Sequence, residues 1–174
     1  MTGRRCAYTG AMNDIATLRR ILGSCRTIAV VGLSPQWHRP SFFAAKYMQA
    51  HGYRIVPVNP SATEILGEPS YASVTEAARA LAAKGERIAM VDCFRRTEDI
   101  GPIADEAIAI GAKCLWQQIG VVNEAAAAKA SAAGLDVVMD RCVKIEHARL
   151  FGGLGWAGVN TRVISSHRPQ HLPY

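Results

Sequence analysis

The chain reads as an α/β protein with a Rossmann-like, doubly wound fold: a mostly parallel sheet of about five to six strands with helices on both faces. Three observations carry that expectation. Short β-branched apolar runs recur along the 174 residues and alternate with stretches of helical spacing, the pattern of parallel strands joined by right-handed crossovers. Most of the helical stretches close on a glycine, as C-terminal caps do. The first apolar run, Ile28 to Val31, ends at Gly32 and leads through a polar loop to Pro40 and Ser41, which suits a tight turn from a buried strand into a helix N-terminus.

Taken in order, Asn13 or Asp14 caps a first helix through Leu22, with Gly23 ending it. The first strand follows, then a helix over 41–51 closed by Gly52, and a second strand over 53–58. A loop runs from Asn59 to Ser73, and any third strand near Tyr71 is short. Thr75 caps an alanine-rich helix to Lys84, and 87–94 forms the fourth strand. Thr97, Glu98 and Asp99 supply a cap and first-turn acids for a helix to Ile110. Residues 113–117 form the fifth strand, Asn123 and Glu124 open a helix to Ala133, and 136–139 and 143–151 give the sixth strand and last helix. One domain over 13–151 is expected, with an N-terminal tail over 1–12 and a Gly-rich extension over 152–174 as the contact surface for a second copy or a partner protein.

Composition narrows the class. Hydrophobic content of 49% with 20% charged residues is that of a globular protein, and no stretch reaches the length of a membrane span. Without an apolar leader at its start the chain is expected to be cytoplasmic. Five cysteines at 6, 25, 93, 114 and 142 have no CxxC spacing, so neither a disulfide framework nor a metal site is expected. The net charge of +6 favours an anionic partner, but the basic residues stand singly, without the stripe that nucleic acid requires.

In doubly wound sheets a ligand lies outside the carboxyl ends of the strands, near the switch point. Four segments converge there: Gly32 to Ser41, Asn59 with Pro60, Phe94 with Arg95 and Arg96, and Gln117 with Gln118. Ser34, Arg39 and Ser41 are placed to meet a phosphate at the helix N-terminus. Of Arg95 and Arg96, one pairs with Glu98 or Asp99, leaving Arg95 as the ligand residue. A nicotinamide dinucleotide site wants glycines where Ser34 and Trp37 stand, and an acid after the second strand where Asn59 and Pro60 stand. Both departures favour a more anionic nucleotide than NAD.

Cys142 and His147 invite a nucleophile and base, but five positions apart on a helix they point about 140° from each other, outside the favourable spacing. His38 sits in the loop without a placed partner, and Cys93 and Cys114 lie in apolar strands as small hydrophobes. No catalytic residue is expected.

Val31-Gly-Leu-Ser, Arg39-Pro-Ser, Pro57-Val-Asn-Pro60, Glu64-Ile-Leu-Gly67, Asp92-Cys-Phe-Arg95, Trp116-Gln-Gln-Ile-Gly120 and Met139-Asp-Arg-Cys-Val-Lys-Ile-Glu146 occur in that order. Together they resemble the small CoA-binding domain family, whose fold is similar to the N-terminal CoA-binding domain of the succinyl-CoA synthetase α subunit. The resemblance implies a domain that holds coenzyme A, or an acyl-CoA, through its ADP part. The backbone of Gly32, Leu33 and Ser34, with Arg39 and Ser41, would hold phosphates. Asn59 and Pro60 would shape the adenosine end, Phe94 and Arg95 would line the opposite wall, and Gln118 would fix a polar group beyond. The synthetase's second domain, with its phosphorylated histidine, has no counterpart here, so ligase chemistry is not expected. The function expected is CoA binding without catalysis by this chain alone. The alternative is a nucleotide-binding Rossmann enzyme using NAD(P) or a CoA thioester.

Overall fold

A computed structural model of the chain describes residues 14–152. The order along them is α1 (Ile15–Ser24), β1 (Thr27–Val31), α2 (Pro40–Ala50), β2 (Arg54–Val58), β3 (Glu64–Ile65), β4 (Glu68–Pro69), α3 (Val74–Ala82), β5 (Met90–Cys93), a 3-10 turn (Thr97–Asp99), α4 (Ile100–Ala109), β6 (Cys114–Gln117), α5 (Glu124–Ala132), β7 (Asp136–Val138) and α6 (Val143–Phe151). Five strands make one wholly parallel sheet in the order β2-β1-β5-β6-β7, and β3 with β4 forms a separate antiparallel pair. This is the Rossmann-like α/β architecture the alternating pattern predicts.

Period-two alternation explains why nearly every sheet position is buried. Ala29, Val31, Val56, Val58, Val91, Cys93, Leu115 and Val137 enter one apolar layer, where α3, α4 and α5 pack. Ile28, Val30, Ile55, Met90, Cys114, Trp116 and Val138 enter the other, beneath α1, α2 and α6. Asp92 lies between Val30 and Trp116 in register, so a carboxyl stands in the second layer.

The third strand is reduced to one bridge. Tyr71 pairs in parallel with Val58, its N–H donating to Pro57 at 3.1 Å and its carbonyl accepting from the Asn59 N–H at 2.8 Å. Only three residues separate Pro69, which has no N–H to extend a ladder, from Ser73, the cap of α3.

Several element ends differ from the sequence expectation. Gly23 lies inside α1, which continues to Ser24 because the Cys25 N–H still reaches the Ile21 carbonyl at 2.8 Å. Asp14 is the α1 cap, accepting from the Thr17 N–H. Ser73, not Thr75, caps α3; its hydroxyl accepts from the Glu76 N–H, and Thr75 instead donates to Glu106 through both its N–H and its hydroxyl. The stretch expected as strand from residue 87 pairs regularly only from Met90. Residues 97–99 form a tight turn before α4. The tail over 1–12 and the extension beyond Gly152 lie outside the described residues.

The connections leave β1 and β5 toward opposite edges of the sheet, so the loops after these two strands part and leave a crevice at their carboxyl ends. One brace on its far side is Asn123. Its Oδ1 accepts from the Ala126 N–H at 2.9 Å to cap α5, its Nδ2 donates to the Thr97 carbonyl at 2.8 Å, and its N–H donates to Gln117 Oε1 at 2.7 Å. Asn123→Ala removes the cap and the Thr97 bond and is expected to cost about 1–3 kcal/mol. Urea denaturation measures this, and a loss under ~0.5 kcal/mol would show that the brace is not important.

Candidate functional site

The first strand turns at Gly32, whose φ of +83° is open to glycine and costly for other residues. A Cβ there would lie 2.4 Å from the Phe94 carbonyl oxygen and 2.8 Å from Arg95 Cδ. The Gly32 N–H donates to the Val58 carbonyl at 2.9 Å, while Phe94 donates its N–H to Val31 at 2.9 Å. The ends of β2, β1 and β5 therefore meet at one residue.

The loop that follows is braced from within. Ser41 at the head of α2 is buried, and its hydroxyl accepts from the Ser34 N–H at 3.1 Å. Ser34 Oγ accepts from the Gln36 N–H at 3.1 Å, and Gln36 Oε1 accepts from Arg39 Nε at 3.2 Å. Leu33 points its fully buried side chain into the core, and its carbonyl accepts from Asn59 Nδ2 at 2.8 Å. Asn59 Oδ1 accepts from the Ser61 N–H at 2.8 Å, so both ends of that amide are engaged by the protein.

Two clefts open on either side of Gly32. The larger, about 890 Å³, is lined by Ser34, Arg39, Ser41, Phe94, Arg95, Gln118, Cys142 and Ile145 among others. The smaller, about 390 Å³, lies over β2 and the head of α3, with Asn59, Pro60 and Ser73 in its wall. Gly32, Ser34, Arg95 and Asp99 belong to both. All the sequence-selected positions except Leu33 thus border one continuous groove, and Leu33 supports it from behind.

Its charges are uneven. Arg96 forms ion pairs with Glu98 and Asp99, each at 3.3 Å, and Arg95, expected to be left unpaired, also pairs with Asp99 at 3.8 Å while its side chain lies across Gly32. Arg39, the N-terminal flank of α2, bonds only to Gln36 among the described side chains. Arg39 at the head of α2 thus has no acid partner among the described residues, Arg95 has a long one, and both line the larger cleft, an arrangement complementary to anions.

Asp92 was missed as a site residue. It is 1% exposed, and its Oδ1 accepts from Gln118 Nε2 at 2.6 Å. Burial pushes its carboxyl up to about 7 against the hydrogen bond from Gln118, which pulls the other way. The available signal was an acid inside the otherwise apolar run Met90–Cys93. Ile119, Val121 and Ile145, which supply apolar lining, carried no such signal.

Cys142 and His147 are not joined. Burial raises the Cys142 thiol, and His147 is buried with Nδ1 3.1 Å from the Tyr47 hydroxyl and its ring stacked on Phe151. Cys93 and Cys114 are buried and their thiols raised by the same cause. His38 is exposed, with Trp37 at its edge. Among the described residues no cluster of His, Cys, Asp or Glu could hold a metal ion, and no helix is long and apolar enough to cross a membrane.

A doubly wound parallel sheet with a loop-to-helix groove at its switch point defines the Rossmann-like class of α/β protein. More narrowly, residues 26–148 match the CoA binding domain family, and the chain belongs to that family. An uncharacterized protein of Bacillus subtilis, YneT, is 38% identical over 133 residues, 76% of this chain and 93% of that protein. A hypothetical protein from Pyrococcus horikoshii superposes with a TM-score of 0.74 at 35% identity, covering 87% of this chain and all of the other. A Thermus thermophilus protein superposes with a TM-score of 0.68 at 30% identity over 79% and 99% of the two chains.

Two outcomes follow from the groove. Gly32→Ala must move the Phe94 carbonyl and enter a strained φ, so it is expected to destabilise by at least ~1–2 kcal/mol, seen as a lower urea midpoint; an unchanged midpoint would contradict the close approach. Asp92 carries its proton to about pH 7 when folded, against 3.8 for an ordinary aspartate. Folding thus takes up a proton between those values, and this group's contribution to stability falls as pH rises from about 4 to about 7. Asp92→Asn is therefore expected to gain stability on the order of 4 kcal/mol at pH 8 and less than half of that at pH 5. Urea unfolding at both pH values checks this, and a difference that does not grow with pH would exclude the titration.

Proposed function

We propose that this chain binds coenzyme A or an acyl-CoA and has no catalytic activity by itself. The observation that carries this reading is the groove itself: two clefts meeting over Gly32 at the switch point, with Arg39 and Arg95 beside the head of α2. In this reading the diphosphate lies along Gly32, Leu33 and Ser34 near Arg39 and Ser41. The adenosine end enters the smaller cleft at Asn59 and Pro60, with Arg95 as the cation of a wall that also carries Glu98, Asp99 and Glu106. The pantetheine arm crosses Phe94 and Arg95 toward Gln118 in the larger cleft.

Membership of the CoA binding domain family supports the ligand class. Support for a binding rather than catalytic role comes from the raised Cys142 thiol and from His147, which is occupied by Tyr47. The NAD(P) enzyme alternative lacks the later glycines, and for NAD the ribose acid as well.

Thermal unfolding with CoA, dephospho-CoA, NAD and NADP tests the reading. CoA at about 100 times its dissociation constant is expected to add ~2.7 kcal/mol, or about 5 to 10 °C in midpoint. Arg39→Ala is expected to weaken binding about 10- to 100-fold and to remove at least half of that shift at the same CoA concentration. Stabilisation by NAD and not by CoA would reject the reading, and an undiminished shift in Arg39→Ala would reject the phosphate assignment.

A further inference from the structure

Gln118 lines the larger cleft, and behind it Asp92 is buried in a layer that is otherwise largely apolar. Among the described residues Asp92 accepts one side-chain hydrogen bond, from Gln118 Nε2, and has no cation partner. Gln118, 4% exposed, connects this acid to the cleft wall, and its Oε1 has no partner among the described residues. One amide therefore stands between a buried acid and the space beyond β6.

The two ends of an amide differ: Oε1 only accepts, and Nε2 only donates. Ionised Asp92 offers only acceptors, so it takes the amide N–H and leaves Oε1 for the cleft. Protonated Asp92 keeps an acceptor oxygen and gains an O–H; only in this form can the acid donate to Oε1, draw that oxygen inward and leave an amide N–H for the cleft. We propose that the Asp92–Gln118 pair is a specificity switch for the acyl end of the ligand, with protonated Asp92 selecting a thioester carbonyl and ionised Asp92 disfavouring it. This inference rests on the CoA reading, which carries the sulfur end of the ligand over β5 and β6.

The surroundings leave the switch to Asp92. Within its electrostatic reach are Cys93 on its own strand, Cys114 on β6 and Cys142 at the head of α6, and burial raises all three thiols. From β1, α1 and α2 the layer receives apolar side chains, together with the Ser41 hydroxyl at the cleft. On α6, Glu146 is buried in ion pairs with Arg141 and Arg149, and His147 bonds to Tyr47 with its pKa lowered by burial. Arg39 and Arg95 line the same cleft. The acid's position near 7 places the exchange at neutral pH, and a ligand that selects the protonated form takes up a proton as it binds.

Isothermal titration calorimetry with acetyl-CoA and S-ethyl-CoA at pH 6 and pH 8 tests the switch. The two ligands share nucleotide, phosphates and sulfur and differ by the carbonyl, so the ratio of their affinities isolates it. In the natural chain the preference for acetyl-CoA is expected to fall about 5- to 10-fold from pH 6 to pH 8. Acetyl-CoA should also take up more protons than S-ethyl-CoA at pH 7, read from heats in two buffers of different ionisation enthalpy. Asp92→Asn, isosteric and never charged, is expected to show one preference at both pH values. A preference in the natural chain that does not change with pH, equal proton uptake, or a variant that still follows pH would overturn the switch while leaving CoA binding intact. Failure of both ligands to bind at either pH would overturn the CoA reading and the switch with it.

Discussion

The contact on which the rest of the structure depends is the approach of Gly32 to the backbone of Phe94. A strand end with any side chain at that position would be pushed away from β5, because a Cβ would overlap the Phe94 carbonyl at 2.4 Å. With glycine there, β1 turns sharply while still joined to β2 through Val58 and to β5 through Val31. Three strand ends then terminate at one level, and the loops that follow them part instead of colliding. Arg95 reaches the groove because Phe94 has been brought against the turn, so the position of a cation is set by the absence of a methyl group at the end of the neighbouring strand, β1.

Burial of both sheet faces is the second condition. It requires continuous apolar runs, which is why β1, β2 and β6 were legible to within a residue, and why the helices between them had to cover both sides. α6 was legible at both ends, since Val143 to Phe151 has helical spacing and Gly152 follows it. Element ends that depend on a competition between neighbours were less so. Ser73 and Thr75 both suit a cap, and Ser73 takes the position because Glu106, 31 residues further on, occupies Thr75. Gly23 resembles a helix end, but the Ile21 carbonyl still finds a donor beyond it.

The site was legible in outline for a related reason: topology alone brings Gly32, Asn59, Phe94 and Gln118 to one edge once the strands are known. Long-range bonds were invisible in sequence. Nothing in the chain announces that Asn59 donates to Leu33, or that the Ser41 hydroxyl faces back to Ser34. Asp92 is the sharpest case. An acid among apolar neighbours is visible as an oddity, but its environment is decided by which side of the strand it takes, and that requires the register with Val30 and Trp116.

The internal bracing of residues 33–41 has a consequence for association kinetics and for entropy. Ser41, Gln36, Arg39 and Asn59 hold this segment through hydrogen bonds that the protein makes on its own. A molecule arriving at the groove therefore meets a segment already held by the protein's own hydrogen bonds, which lowers the ordering cost of the encounter. Recognition at such a segment proceeds as a single bimolecular step, and its selectivity resides in how long a molecule stays rather than in how often it arrives.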